Sequence, residues 1–169
     1  MAHNKKALIL VDVQQGFNTN DYTQEVVEKM SNISPDKFDL IIATKFTNDK
    51  TTSFSTQLGK TTMMAGDTAT KLVSEVSNLY DISLPKNTYS AADTIADMLE
   101  THDGNFEAYI AGFDTDGCVL ATALGLFDRK IETYVVESLC ASSGGDDIHQ
   151  AAMAVLERSI GRNHVINSL

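Results

Sequence analysis

Residues 106–127, FEAYIAGFDTDGCVLATALGLF, constrain the fold more than any other stretch of the chain. Ala108, Tyr109, Ile110 and Ala111 make a short apolar run of the kind that a strand covered on both faces needs. Gly112 ends the run. Thr115 and Asp116 are helix N-cap types, and Val119, Ala123, Leu126 and Phe127 then recur at helical spacing. Cys118 therefore falls in the first turn of a helix, just past the carboxyl end of a strand. Ligands bind at that edge in open α/β sheets. Free N–H groups and the helix dipole also favour a thiolate there. Position alone leaves two readings open: a reactive thiol, or an inert cysteine packing the start of a helix.

The same alternation runs along the chain. Residues 7–11, 39–46, 81–84, 130–137 and 164–167 read as further strands. Residues 23–33, 68–78, 90–100 and 148–160 read as helices, with Ser90 and Asp93 resembling a capping box at the third. Residues 47–62 are rich in Asn, Thr and Ser and read as a long loop at the edge where binding sites are built. Residues 138–147 form a second polar loop, which contains Cys140. About six strands alternating with helices argue for a three-layer α/β/α fold with a mostly parallel, Rossmann-like sheet. With no repeat, linker or low-complexity tract, residues 1–169 read as one domain, long enough to bury roughly 70% of its unfolded surface.

Several function classes are disfavoured. A net charge of −10 argues against nucleic acid or an anionic membrane as partner, because phosphate binding needs clustered Lys and Arg. The apolar run at 7–11 is too short for a signal segment or a membrane span, which points to a cytoplasmic protein. Neither GxGxxG nor a Walker pattern follows the first strand, and the two cysteines show no zinc-ligand spacing, so no cofactor and no metal are expected. Cys140 reads as structural.

Asp12, Lys86 and Cys118 each follow a different expected strand at its carboxyl end, and in a parallel sheet those ends cluster. Taken singly, Asp12 could be a turn residue and Lys86 a solvated lysine. Together they give a thiol a proton acceptor and a cation that favours its ionised form. His3, His102, His149 and His164 lie away from strand ends at that edge, so a Cys–His pair is the weaker model, and His149 reads as a surface or interface residue.

The segments LILVDVQQGF at 8–17, IIATKFTND at 41–49, LPKNTYSA at 84–91, AGFDTDGCVLATAL at 111–124 and YVVESLCASS at 134–143 resemble the isochorismatase-like cysteine hydrolases, which include nicotinamidases and N-carbamoylsarcosine amidases. The resemblance covers nearly the whole chain. It implies a catalytic triad of Asp12, Lys86 and Cys118. It further implies a non-proline cis peptide between Phe113 and Asp114, with the N–H groups of Asp114 and Cys118 forming an oxyanion hole. The expected activity is cleavage of a C–N bond in a small amide or carbamoyl compound. Isochorismatase-type vinyl-ether hydrolysis and a non-catalytic binding module are the alternatives. Phe17, Phe46, Asn48, Phe54 and Tyr89 are candidate substrate-pocket residues, and Phe113 is a further apolar candidate. Metal-carrying relatives have Asp-x-His after the second strand, whereas this chain reads Lys45-Phe46-Thr47-Asn48, which implies no metal. The Asp114 side chain is expected to face away from the oxyanion hole. Homo-oligomers in which neighbouring subunits help close the site are also implied.

Overall fold

The hydrophobic runs pair side by side in register. In the computed structural model, which describes residues 4–169, β1 (Lys5–Val11), β2 (Leu40–Phe46), β3 (Ile82–Lys86), β4 (Phe106–Gly112), β5 (Glu132–Cys140) and β6 (Val165–Ile166) form one sheet. The order is β3-β2-β1-β4-β5-β6 and every pairing is parallel. The chain builds outward from β1 to β3, then returns to add β4 on the other side of β1. The carboxyl ends of β1 and β4 thus flank the point where the winding direction reverses, the crevice in which such sheets bind ligands.

Side chains alternate across the sheet and bury both faces. Ala7, Ile9 and Val11 of β1 join a core formed with α3 (Ala92–Glu100), α4 (Leu120–Asp128) and α5 (Asp146–Ile160). Leu8 and Leu10 point to the opposite core, against Val26, Val27 and Met30 of α1 (Asp21–Met30). The result is three layers. A short helix α2 (Ser53–Thr56) interrupts the long loop after β2. Among the described residues no helix is long and apolar enough to cross a membrane.

Three expectations are corrected. Residues 68–78 form no α-helix, only 3-10 turns at Thr68–Thr70 and Ser74–Val76. Their polar backbone groups are engaged elsewhere: Gln15 N–H donates to Lys71 O at 2.9 Å, Gly16 N–H to Ala69 O at 2.9 Å, and Val73 N–H to Val13 O at 3.0 Å. Carbonyls held by distant donors are not available to close helical turns. Second, Cys140 is not a loop residue; it ends β5 beyond an irregularity in the β4–β5 register and is buried. Third, α3 starts at Ala92 behind an Ala91 cap, and Ser90 Oγ accepts from Ala92 N–H at 3.1 Å, with no Ser90–Asp93 capping box. Asp93 instead pairs with Arg129 at 2.9 Å.

Gly112 sits where β4 leaves β1, with φ of +124°. A Cβ there would lie 2.1 Å from the Val11 carbonyl oxygen. Only glycine allows this conformation and this approach. Gly112→Ala is expected to lose about 2–3 kcal/mol of stability, measured by urea denaturation. An unchanged midpoint would show that the two strands can separate freely at this end.

Candidate active site

Five consecutive buried apolar residues, Ala7 to Val11, carry the backbone of β1 to the carboxyl edge of the sheet, where Asp12 follows. Asp12 has φ of +47°, a left-handed conformation that Asp tolerates better than most residues. Its N–H donates to Thr44 Oγ1 at 3.1 Å, and the Thr44 hydroxyl donates back to Asp12 Oδ1 at 2.7 Å. Oδ2 lies 2.7 Å from Lys86 Nζ and has no other polar partner among the described residues. The Lys86 and Asp12 side chains are 5% and 0% exposed, so this ion pair is shut off from water.

Lys86 reaches inward from the end of the edge strand β3. Its ammonium donates to Thr88 O at 2.8 Å, Tyr89 O at 3.1 Å and Cys118 Sγ at 3.2 Å, and lies 5.3 Å from the centre of the Phe46 ring. One ammonium therefore touches both the carboxylate and the thiol. Burial is the largest influence on Cys118 and pushes its pKa up; the Asp12 carboxylate pushes in the same direction, and Lys86 pulls it down. Burial and the neighbouring carboxylate thus both favour the neutral thiol over the thiolate that its position suggested. Cys140 is pushed up to about 12 by burial, and its thiol donates to Ile110 O at 3.8 Å, not to a member of this cluster.

Between β4 and α4 the chain makes a widened, π-type turn, Thr115–Val119, of a kind frequent at functional sites. The Phe113–Asp114 peptide is cis. Among the described residues the Asp114 N–H meets no acceptor. The Asp114 carboxylate accepts from Ser143 N–H and Ser143 Oγ, both at 2.7 Å. It is thus anchored to the β5–α5 loop, although the residue still borders the cavity. Phe113 is fully buried among the α1-side core residues and does not line the cavity. His149 is also buried, not a surface residue: its Nδ1 lies 2.8 Å from the Thr115 hydroxyl. His102 and His164 make local contacts with Met98 O and Ile160 O, and His3 lies outside the described residues.

Cys118 opens into a cavity of about 430 Å³. All five pocket candidates, Phe17, Phe46, Asn48, Phe54 and Tyr89, line it. Four of them form a continuous aromatic wall, with ring centres 6.3 Å apart for Phe17–Phe46, 4.8 Å for Phe46–Phe54 and 4.7 Å for Phe54–Tyr89. Leu120, Ala121 and Leu124 of α4 also line the cavity. Sequence reasoning missed them because a helical apolar stripe reads as core. It also gave Gln14 no role. That buried side chain donates to Phe46 O at 2.8 Å and Thr70 O at 2.7 Å and accepts from Phe46 N–H at 2.8 Å, fixing one ring of the wall.

A cavity at the winding reversal of a parallel, doubly covered sheet defines a Rossmann-like α/β enzyme architecture. The isochorismatase domain model matches residues 6–166, and the chain belongs to that family of hydrolases. Among solved structures it is similar to nicotinamidase PncA from Bacillus subtilis, at 21% identity and a TM-score of 0.79 over 93% of this chain and 97% of that one. PnC1 from L. infantum in complex with nicotinate gives 16% identity and a TM-score of 0.78 over 99% and 94%. Pyrazinamidase of Pyrococcus horikoshii in complex with zinc gives 21% identity and a TM-score of 0.75 over 98% and 99%. No curated protein matches significantly.

The segment after β2 does not suit a metal. Among the described residues no three His, Cys, Asp or Glu side chains converge to hold an ion. Phe46 offers no donor atom. The Asn48 side chain is committed to the protein, donating to Lys60 O and Thr62 O at 3.1 Å each and accepting from the Thr52 hydroxyl at 2.5 Å. Its N–H donates to Met63 O at 2.7 Å. Asn48 thereby folds residues 47–64 back on themselves and presents Phe54 and Met63 to the cavity. Asn48→Asp keeps the shape but replaces two donated hydrogen bonds by oxygen–oxygen repulsion. It is expected to cost about 2–3 kcal/mol, read as a lower urea midpoint, and to weaken ligand binding in the cavity. Wild-type stability in this variant would remove Asn48 as the organiser of the loop.

Proposed function

We propose that the protein is a cysteine hydrolase that cleaves the C–N bond of a small amide or carbamoyl compound through a thioester. The observation that carries this reading is the contact of Lys86 with both Asp12 and Cys118 at the mouth of an apolar cavity. Structural likeness to proteins called nicotinamidase and pyrazinamidase supports an amide substrate.

The substrate enters with its carbonyl carbon against Sγ and its apolar part along the aromatic wall. Asp12 takes the thiol proton on Oδ2, and the sulfur attacks the carbonyl carbon. The negative charge that develops on the carbonyl oxygen is met by the N–H groups of Asp114 and Cys118. One such donor is typically worth about 3 kcal/mol in the transition state. Asp12 returns the proton to the departing nitrogen, the C–N bond breaks, and a thioester remains. Water, deprotonated by the same carboxylate, attacks the thioester; the acid leaves and Sγ recovers its proton. Lys86 stays charged throughout and balances whichever neighbour is anionic.

Retention of a cysteine at position 118 counts against vinyl-ether hydrolysis, which needs no nucleophile of this kind. Screening of nicotinamide, carbamoyl and ureido compounds is expected to reveal ammonia or amine release that Cys118→Ala lowers at least about 1000-fold and Cys140→Ala leaves intact. Hydrolysis that survives Cys118→Ala would sink the assignment.

Iodoacetamide is expected to label Cys118 before Cys140, because Cys118 lines the cavity of about 430 Å³ beside the Lys86 ammonium, whereas Cys140 borders only the cavity of about 230 Å³ and has no cation against its sulfur. The raised Cys118 pKa sets the sign of the pH profile. Labelling is slower than for an exposed thiol near neutral pH and keeps rising above about pH 10, where an exposed thiol has levelled off. A plateau below pH 8 would show instead a pre-formed thiolate.

A further inference from the structure

The charged cluster and the turn that carries Cys118 are supported from different places. Asp12 and Lys86 are fixed by β1, β2 and β3. By contrast, residues 114, 115 and 116 are each tied to the segment that leads from β5 into α5. Ser143 holds the Asp114 carboxylate, and the Ser142 hydroxyl donates to Asp116 Oδ1 at 2.5 Å. The Thr115 N–H donates to Ala141 O at 3.0 Å, and its hydroxyl meets His149 Nδ1 at 2.8 Å. Thr115 is fully buried, so no water can replace that last bond. We propose that His149 is a positioning residue for the reaction, holding through the Thr115 hydroxyl the turn that aims the Asp114 and Cys118 N–H groups.

His149 does not act on the substrate itself. It lines a different cavity, of about 230 Å³, together with Glu25, Lys29, Glu137 and Asp146. Burial holds its pKa down, against the upward pull of Asp146, Glu137 and Asp116. A neutral imidazole suits a hydroxyl partner, because it offers both a donor and an acceptor nitrogen. The ring is in turn fixed by its helix, whose His149 N–H donates to Gly145 O at 3.1 Å while Gly145 N–H donates to Ser142 O at 3.1 Å. Loop and helix start therefore form one hydrogen-bonded unit beneath the turn.

The inference rests on the amidase reading above, and its test separates the two. His149→Asn keeps a polar atom near the position of Nδ1. His149→Gln moves it to the position of Nε2, and His149→Leu removes it. Thr115→Val removes the hydroxyl and keeps the shape. In His149→Leu, His149→Gln and Thr115→Val, kcat is expected to fall by about tenfold to a hundredfold with KM within about twofold, as for a small misplacement of catalytic groups. His149→Asn is expected to retain most of the activity. The Thr115→Val/His149→Leu double variant should be no worse than the worse single one, because both remove the same bond. Hydrogen exchange of the amides at 113–118 should accelerate in His149→Leu and not in His149→Asn. Equal losses of kcat in the Asn and Leu variants, additive losses in the double variant, or unaltered exchange in His149→Leu would each overturn the proposal. If the wild-type protein hydrolyses no amide, the amidase reading falls, and the exchange experiment still decides whether His149 holds the turn.

Discussion

The buried pair of Asp12 and Lys86 is the interaction on which the site depends. With side chains 0% and 5% exposed, neither ion has water to solvate it. Leaving either one alone would cost several kcal/mol, so each requires the other. The ammonium also touches Cys118 Sγ, 3.2 Å away. That third contact makes internal proton transfer feasible. In the proposed reaction, transfer of the thiol proton to Asp12 passes the negative charge from one neighbour of Lys86 to another, and the buried cluster remains neutral before and after. The high pKa of the thiol measures its loss of a proton to bulk water, which would leave a net buried charge. It does not measure transfer to Asp12, where no such charge appears.

The sheet order makes this pair possible. Asp12 follows the central strand β1 and Lys86 ends the edge strand β3, with β2 between them. Thr44 of β2 fills the gap and binds Asp12 twice. Lys86 must therefore reach across one strand, and its own strand must be held in place. Thr47 N–H donates to Lys86 O at 2.9 Å, and the Asp81 carboxylate accepts from Ile41 N–H at 2.8 Å, just before β3 begins. The ammonium also binds the carbonyls of Thr88 and Tyr89, so the group that balances the Asp12 charge fixes part of the pocket wall as well. Cation placement and pocket shape are one constraint.

What the sequence revealed were features written locally. Apolar runs marked the strands, and the residues directly after them, Asp12, Lys86 and Cys118, come together because parallel strands share an edge. The turn at 112–118 was legible for the same reason. Long-range partners were not. Residues 68–78 have helical spacing, yet donors and acceptors near residues 13–16 claim their backbone. His149 looked like a surface residue because its partner Thr115 lies 34 positions away. Cys140 looked like a loop residue because β5 runs on past its apolar stretch. Phe46, Phe54 and Phe113 were indistinguishable as phenylalanines. All three are buried, and the cavity separates them: Phe46 and Phe54 form its wall with exposed Tyr89 and half-buried Phe17, and Phe113 fills the core beneath the turn.

The polar groups of the cavity explain how such a site could select its ligand. Asn48 is occupied by the loop it organises, Asp114 by Ser143, Asp116 by Ser142, and Cys118 by the charged cluster. Lys86 has its partners already, and Lys60 stands in solvent. Apart from Lys60, these groups are held by the protein before any ligand arrives. Besides the Asp114 N–H, the exposed Lys60 and the Tyr89 hydroxyl, the cavity offers the aromatic wall of Phe17, Phe46, Phe54 and Tyr89 together with the apolar face of α4. Discrimination then rests on shape and on ring faces. Such contacts distinguish ligands by only about 1–3 kcal/mol per methylene-sized difference. On the proposed amidase reading, a pocket of this kind would sort acyl groups by size and flatness and leave chemical selectivity to the thiol, the carboxylate and the turn that carries Cys118.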